Sequence, residues 1–277
     1  MHFHFPFSVN QVLWALTFAA QLVLLVVLLG RDRIRRYPWF TASIVLYAFR
    51  LLIEVLLFGR LPVPTLRILF IVMADLAAVV GLLVLVEMAR RAFAGAGRAA
   101  WIAAALALLA VGGLVIAFWG PWPPAGQLIP KSLFNTLNLM RVLAQKGDML
   151  IDVLTVQLGI LVVFFGRRFH AGWRSHTQRI VIGLSTFAAS WLIIEGVWQI
   201  IAATVHPHTQ TEYERIVGLG ARLVNANRVV FLAVLVWWIA CLWVDEPGPP
   251  VATPASDSIL LPIGGVPAGK HDPGPGE

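Results

Sequence analysis

Charge is scarce in this chain. Only 13% of its 277 residues are Asp, Glu, Lys or Arg, about half the share found in an average soluble domain. Lysine occurs only as Lys131, Lys146 and Lys270, and cysteine only as Cys241. A single cysteine excludes a disulfide scaffold. Intrinsic disorder requires low hydrophobicity and high charge, and a chain that is 59% hydrophobic offers neither. A soluble enzyme of this length could not bury so much apolar surface. What these shortages leave is a protein that lives in lipid.

Other absences remove particular chemistries. A retinal Schiff base needs a lysine in the last span, and none of the three lysines falls in a span as read here, so rhodopsin-type function is excluded. Histidine-held haem or chlorophyll needs histidine inside a helix. The seven histidines (His2, His4, His170, His176, His206, His208, His271) all fall in expected loops or termini. His2/His4 and His206/His208 could each offer two imidazoles to a metal in an extended stretch, although two ligands make a weak site. No CxxC, HExxH or Gly-rich phosphate loop is present, and Cys241 reads as packing. The expectation is a non-enzyme with no cofactor and no resident metal.

What is present is a series of long apolar runs. A bilayer core about 30 Å thick takes about 20 helical residues to cross. Seven runs qualify, at about Val9–Gly30, Trp39–Phe58, Thr65–Met88, Ala99–Trp119, Gly147–Phe165, Thr177–Thr204 and Gly220–Val244. Pro38, Pro62, Pro64, Pro121 and Pro207 all lie between them, where helices are expected to stop. The runs are continuous rather than alternating, which excludes barrel strands. The fold class is thus an all-α integral membrane protein, a bundle of seven transmembrane helices over residues 1–244. The segment 245–277, rich in Pro and Gly, is expected to be a disordered cytoplasmic tail in which only Ser258–Ile263 is apolar enough to dock.

Basic residues orient the bundle. Arg31, Arg33, Arg35 and Arg36 follow the first run, the reverse of a cleaved signal peptide. Together with Arg90, Arg91, Arg98, Arg167, Arg168, Arg174 and Arg179 they crowd the odd-numbered connections. The expected topology has the N-terminus outside and the C-terminus in the cytoplasm, which in a bacterium means the inner membrane. The net charge of +7 then reflects topology and anionic lipid, so nucleic acid is not an expected partner. Gly120–Lys146 reads as a long outer connection whose second half, Lys131–Lys146, lies along the membrane surface on Leu133, Phe134, Leu137, Met140 and Leu143.

Ionisable residues within spans are costly and tend to face a partner or a wet cavity. Six stand out: Arg50, Glu54, Asp75, Asp152, Glu195 and Arg228. Glu87 is set aside because Arg90 and Arg91 follow it. With the topology above, all six lie from mid-membrane outward. Helical spacing adds Gln199 four residues after Glu195, Asn225 three before Arg228, and Asp148 four before Asp152. Trp191 and Trp198 flank Glu195, and Gln11 and Gln21 extend the polar set from the first span. The expected site is a polar bowl in the outer half, open to the outer face. Its acids would accept a cationic or hydroxylated ligand, and its arginines would hold an anionic group. The plain alternative is that Arg50 pairs with Glu54 and Arg228 with another acid, stapling helices together.

Seven spans also divide as three, a linker and three. The first span ends LVVLLG and the fifth LVVFFG, while Leu51-Leu52-Ile53-Glu54 matches Leu192-Ile193-Ile194-Glu195. The featureless fourth span would be a lipid-facing linker. Parallel repeats of this kind occur in small transporters, and the parity is similar to that of the SWEET sugar transporters. The functional prolines and Pro-Gln pairs of that family and its relatives are missing here. The topology also loosely resembles seven-span zinc hydrolases of the alkaline ceramidase and progestin-receptor type, whose intramembrane histidines this chain lacks. The leading expectation is a receptor-like or transporter-like binder of a small ligand or ion. Its partners would be the bilayer and either other membrane subunits or a cytoplasmic signalling protein. The alternative is a non-catalytic structural or accessory subunit of a membrane complex.

Overall fold

The computed structural model describes residues 9–57, 60–94, 97–119, 122, 133–165, 175–205 and 209–245. Both His-x-His pairs, His170, most of the Gly120–Lys131 stretch and the segment 246–277 lie outside them. The described residues form seven helices and no strand: α1 (Val9–Gly30), α2 (Pro38–Leu57), α3 (Val63–Ala92), α4 (Arg98–Phe118), α5 (Leu133–Phe165), α6 (His176–Thr204) and α7 (Gln210–Trp243). All but α4 are long and apolar enough to cross a bilayer, and the described apolar stretch of α4 is Ile102–Phe118. The chain is a helical, multi-pass membrane protein.

Two helix limits correct the sequence reading. Residues expected to lie along the membrane surface before Gly147 instead continue α5 upward as one 33-residue helix. The run Leu-Asn-Leu-Met-Arg-Val-Leu-Ala-Gln-Lys consists mostly of good helix formers, and one glycine costs only about 1 kcal/mol. Lys146 therefore sits within a candidate span, contrary to the placement of every lysine outside the spans, although α7 still contains none. Similarly, α7 begins ten residues before Gly220. Its start is a capping box in which Thr209 and Glu212 satisfy each other's backbone N–H groups. At 1.5 Å per residue α5 and α7 are each about 50 Å long, so both project beyond the bilayer core.

The helices pack in the cyclic order α1–α2–α3–α5–α6–α7–α1, with α3 also touching α6, while α4 packs on α5 alone. An offset that carries α1, α2 and α3 onto α5, α6 and α7 preserves every neighbour in that ring, as a three-plus-three arrangement requires. Gln21 and Gln157, each nine residues before the glycine of its LVV motif, both carry a buried amide atom without a protein partner.

One end of the bundle, which we call the Gly30 end, is sealed. Leu24, Leu28, Phe40, Leu158, Ile180 and Leu242 there are each at most 1% exposed. Trp238 stands at the centre, 5.0 Å from Phe40 in an edge-to-face contact, and its indole rests against Gly183. Polar groups at this end cap helices. Glu87 of α3 accepts from Phe40 N at 3.1 Å, one of the N–H groups that α2 leaves free at its start, and is paired with Arg91 at 3.5 Å. Arg33 donates to Val244 O, and Arg179 to Cys241 O, at the end of α7, where a cation offsets the helix dipole by up to about 2 kcal/mol. Helix α1 ends in a Schellman turn: Arg33 N donates to Leu28 O and Asp32 N to Leu29 O. Asp32 takes the left-handed position with φ 48°, which its short polar side chain tolerates better than most.

Two glycines should respond oppositely to alanine. At Gly183 a methyl group runs into the Trp238 indole, whereas at Gly113 nothing lies within 4 Å. Overpacking costs about 1–3 kcal/mol, more than the helix propensity that alanine restores. Thermal unfolding in detergent should show a lower Tm for Gly183→Ala and an unchanged or higher one for Gly113→Ala.

Candidate functional site

The opposite half, toward the Val9 end, is where the scarce charges lie. Arg50, Glu54, Asp75, Asp152, Glu195 and Arg228 are separated from the Gly30-end terminus of their helices by 12 to 19 residues, about 18–28 Å along the axis. The ion pairs that the stapling alternative expects are not seen among the described residues. No ion pair joins Arg50 to Glu54, and Arg228 donates to Asn10 Oδ1 at 3.2 Å instead of to an acid. The ion pairs Arg31–Asp245, Arg33–Asp245, Arg35–Asp32 and Arg91–Glu87 are at the sealed end.

Instead of pairing, several of these charges line cavities. One, a vestibule of about 740 Å³, lies between α2, α3, α5 and α6. Helix α3 supplies Arg67, Phe70, Ile71 and Ala74, and α5 supplies Arg141, Gln145 and Asp148, at three- and four-residue spacing that puts each set on one face. Arg50, Trp191 and Glu195 complete the wall. Arg50, Arg67 and Arg141 make no hydrogen bond or ion pair with other described residues. Lys146 stands close by: its Nζ donates to Trp119 O at 2.6 Å, lies 4.7 Å from the Trp122 ring centre, and is near enough to Glu195 for the charges to attract.

A second, smaller chamber of about 230 Å³ lies between α1, α2, α6 and α7. Its walls carry Trp14, Thr17 and Gln21 from α1, Tyr47, Arg50 and Glu54 from α2, Phe187 and Trp191 from α6, and Asn227, Arg228 and Phe231 from α7. A mouth of about 710 Å³ beside Asn10, Gln11 and Val55 shares Trp14, Glu54 and Arg228 with this chamber. Vestibule and chamber share Arg50 and Trp191. Those two residues precede Glu54 and Glu195, respectively, by four.

The bowl expected from sequence is therefore divided, and its membership changes. Arg50, Glu54, Glu195 and Arg228 line these cavities; Asp75, Asp152, Gln199 and Asn225 line none of the three. Asp148, one turn nearer the Val9 end than Asp152, takes the place on the vestibule wall. Asn227 replaces Asn225, because two residues turn a helix by about 200°, and it accepts from the Ser190 hydroxyl. Asp75, Asp148 and Asp152 form a chain of neighbouring acids in which each acts electrostatically on the next. Among the described residues, no three His, Cys, Asp or Glu side chains are grouped to hold a metal ion. Arg67 and Arg141 line the vestibule although they are not among the candidate site residues read from the sequence. The available signal was Pro64 in the first turn of α3, a position where proline starts helices, which puts Arg67 inside the helix.

No protein-family model, curated protein or solved structure matches this chain.

The absence of pairing is measurable. A double-mutant cycle of Arg50→Gln and Glu54→Gln, read by thermal unfolding, should give a coupling below about 0.5 kcal/mol, as for independent sites. A coupling well above 1 kcal/mol would restore the staple.

Proposed function

We propose that this chain is a seven-span membrane protein, N-terminus outside and C-terminus cytoplasmic, that binds a small acidic solute from the outer face. Helix α4 is the seventh span in this reading, a lipid-facing helix leaning on α5. The observation that carries the proposal is the set of three guanidinium groups, Arg50, Arg67 and Arg141, facing one 740 Å³ vestibule without an ion pair among them. That volume is in the usual range for small-molecule sites. Asp148 and Glu195 on the same wall leave an excess of positive charge and give an amino or hydroxyl group somewhere to bind. An acidic solute with a second polar group, such as an amino acid or a hydroxy acid, fits this balance better than a simple cation.

The sealed half argues for receptor-like binding rather than a continuous pore. Trp238 and Phe40 are each at most 1% exposed, and none of the three cavities is lined by either residue. A receptor of this form would need a protein partner to carry its signal onward.

The test uses purified protein in lipid nanodiscs with L-glutamate, lactate and inorganic phosphate as probes. At least one acid should raise the Tm, and the Arg67→Gln/Arg141→Gln variant should need at least tenfold more of it. A charge-assisted hydrogen bond contributes about 1.5–3 kcal/mol, so losing even one accounts for that factor. Stabilisation by amines alone, or an unchanged response in the variant, counts against the proposal. A reporter fused after residue 245 should be active on the cytoplasmic side.

A further inference from the structure

The smaller chamber offers a different chemistry from the vestibule. Two aromatic side chains, Phe70 and Trp191, line the vestibule, whereas Trp14, Tyr47, Phe187, Trp191 and Phe231 line the chamber. None of these five is buried, so each keeps ring surface that a guest can touch. Three of them brace one another: Phe231 lies 4.7 Å from Phe187 and 6.1 Å from Tyr47, centroid to centroid. Two of these rings lie deeper than the chamber's charges. Tyr47 is seven residues nearer the Gly30 end of α2 than Glu54, about 10 Å along the axis, and Phe231 is three residues nearer that end of α7 than Arg228. Trp14, Glu54 and Arg228 also line the mouth. They form a charged neck above an aromatic floor.

The charges indicate what fits. Glu54 makes no hydrogen bond or ion pair with other described residues, and Arg228 donates to the neutral Asn10 amide instead of to an acid. Arg50, the third charge on the wall, is near enough to Asp148 on its vestibule side for the two to attract. One carboxylate and one guanidinium are thus left to the chamber. A simple anion would leave Glu54 unmatched and a simple cation Arg228, whereas a zwitterion matches both. The rings decide the kind of cation. A primary ammonium carries three N–H donors that need acceptors, and Asn227 on the same wall already accepts from the Ser190 hydroxyl. A fully methylated ammonium has no such donors, and aromatic faces attract its charge directly. The space of about 230 Å³ is below the roughly 300 Å³ at which sites for drug-sized ligands begin, so the guest is compact.

We propose that the chamber between α1, α2, α6 and α7 is a binding site for a small zwitterion with a quaternary ammonium group, of the betaine type, taken up from water through the mouth. The methylated ammonium sits among Tyr47, Phe187, Phe231 and the two tryptophans, with Glu54 as its counter-charge. The anionic group stays at the neck, where Arg228 holds it. The site is separate from the acid-binding vestibule and does not depend on that reading, although both reach Arg50.

Glycine betaine is the direct probe, with glycine as a zwitterion of the same charges whose ammonium is unmethylated. With full-length protein in phosphatidylglycerol nanodiscs, which carry no choline headgroup, calorimetry should show glycine betaine binding at least tenfold more tightly than glycine. Glu54→Gln should weaken glycine betaine at least tenfold. Tyr47→Leu, which keeps bulk and removes a ring face, should weaken it at least fivefold and serves if Glu54→Gln does not fold. Neither residue lines the vestibule, so any response to L-glutamate, lactate or phosphate should persist in both variants. Changing the discs to phosphatidylcholine should leave the affinity within threefold, as expected for a solute that enters from water. The proposal is overturned if glycine betaine does not bind the wild type, if glycine binds as well, or if these variants bind glycine betaine normally. A tenfold loss in phosphatidylcholine discs would overturn it in favour of a lipid headgroup.

Discussion

An ionised group in hydrocarbon must find an opposite charge, a dense set of hydrogen bonds or water. The rest of this architecture follows from how that requirement is met differently at the two ends. Toward Gly30, carboxylates and guanidinium groups are matched to each other and to helix termini: Glu87 to the start of α2, Arg33 and Arg179 to the end of α7. The Arg31–Asp245 contact beside them is 37% and 76% exposed, and such pairs contribute little. Capping and the Trp238 core therefore do most of the work of holding that end shut. Toward Val9, Arg50, Arg67 and Arg141 form no ion pair with other described residues, and the helices stand apart around the cavities that these charges line. Opening and sealing are two answers to one constraint.

Much of this was readable from the residues. Unbroken apolar runs between prolines marked the helices, because lipid leaves few alternatives to a helix. Glu54, Glu195, Arg50 and Arg228 were conspicuous for the same reason: nothing else explains charge in such runs. Helix ends were less legible. Gly147 and Gly220 looked like boundaries, yet Gly147 is carried within α5 and Gly220 within α7, where the missing side chain makes room for Trp198. The Thr209–Glu212 capping box marked the true start of α7 and was overshadowed by the polarity of the residues around it. Arg67 and Arg141 were obscured because a basic residue near a span end already has a topological explanation. Trp14 and Thr17 were harder still, since such residues on an apolar helix show no preference for a cavity over a neighbouring helix. Only their place on the chamber wall, visible in three dimensions, distinguishes them.

The ring order sets the two cavities in corresponding places. Each lies between helices that the three-plus-three offset exchanges: α2, α3, α5 and α6 around the vestibule, α6, α7, α1 and α2 around the chamber. Where the two cavities meet, the shared wall carries the Arg50 guanidinium and the Trp191 indole. One space is therefore arginine-rich and wide, the other aromatic and narrow. The correspondence is imperfect. The direct α3–α6 packing has no equivalent between α7 and α2, which instead meet through Trp238 and Phe40 and through Phe231 and Tyr47. Those bulky contacts hold α2 and α7 apart, which leaves space for the chamber above them.

The central claim is that the Val9 half is open to water and the Gly30 half is not. Single cysteines introduced at Leu51 and Ala74, which line the chamber and the vestibule, and at Ile44 and Leu235 in the core, test it in a Cys241→Ser background with a small membrane-impermeant thiol reagent. The account predicts that Leu51→Cys and Ala74→Cys react when reagent is applied from the Val9 side, and that Ile44→Cys and Leu235→Cys stay protected from either side. Equal protection at all four positions would contradict it, because the unpaired charges would then lie in a closed bundle.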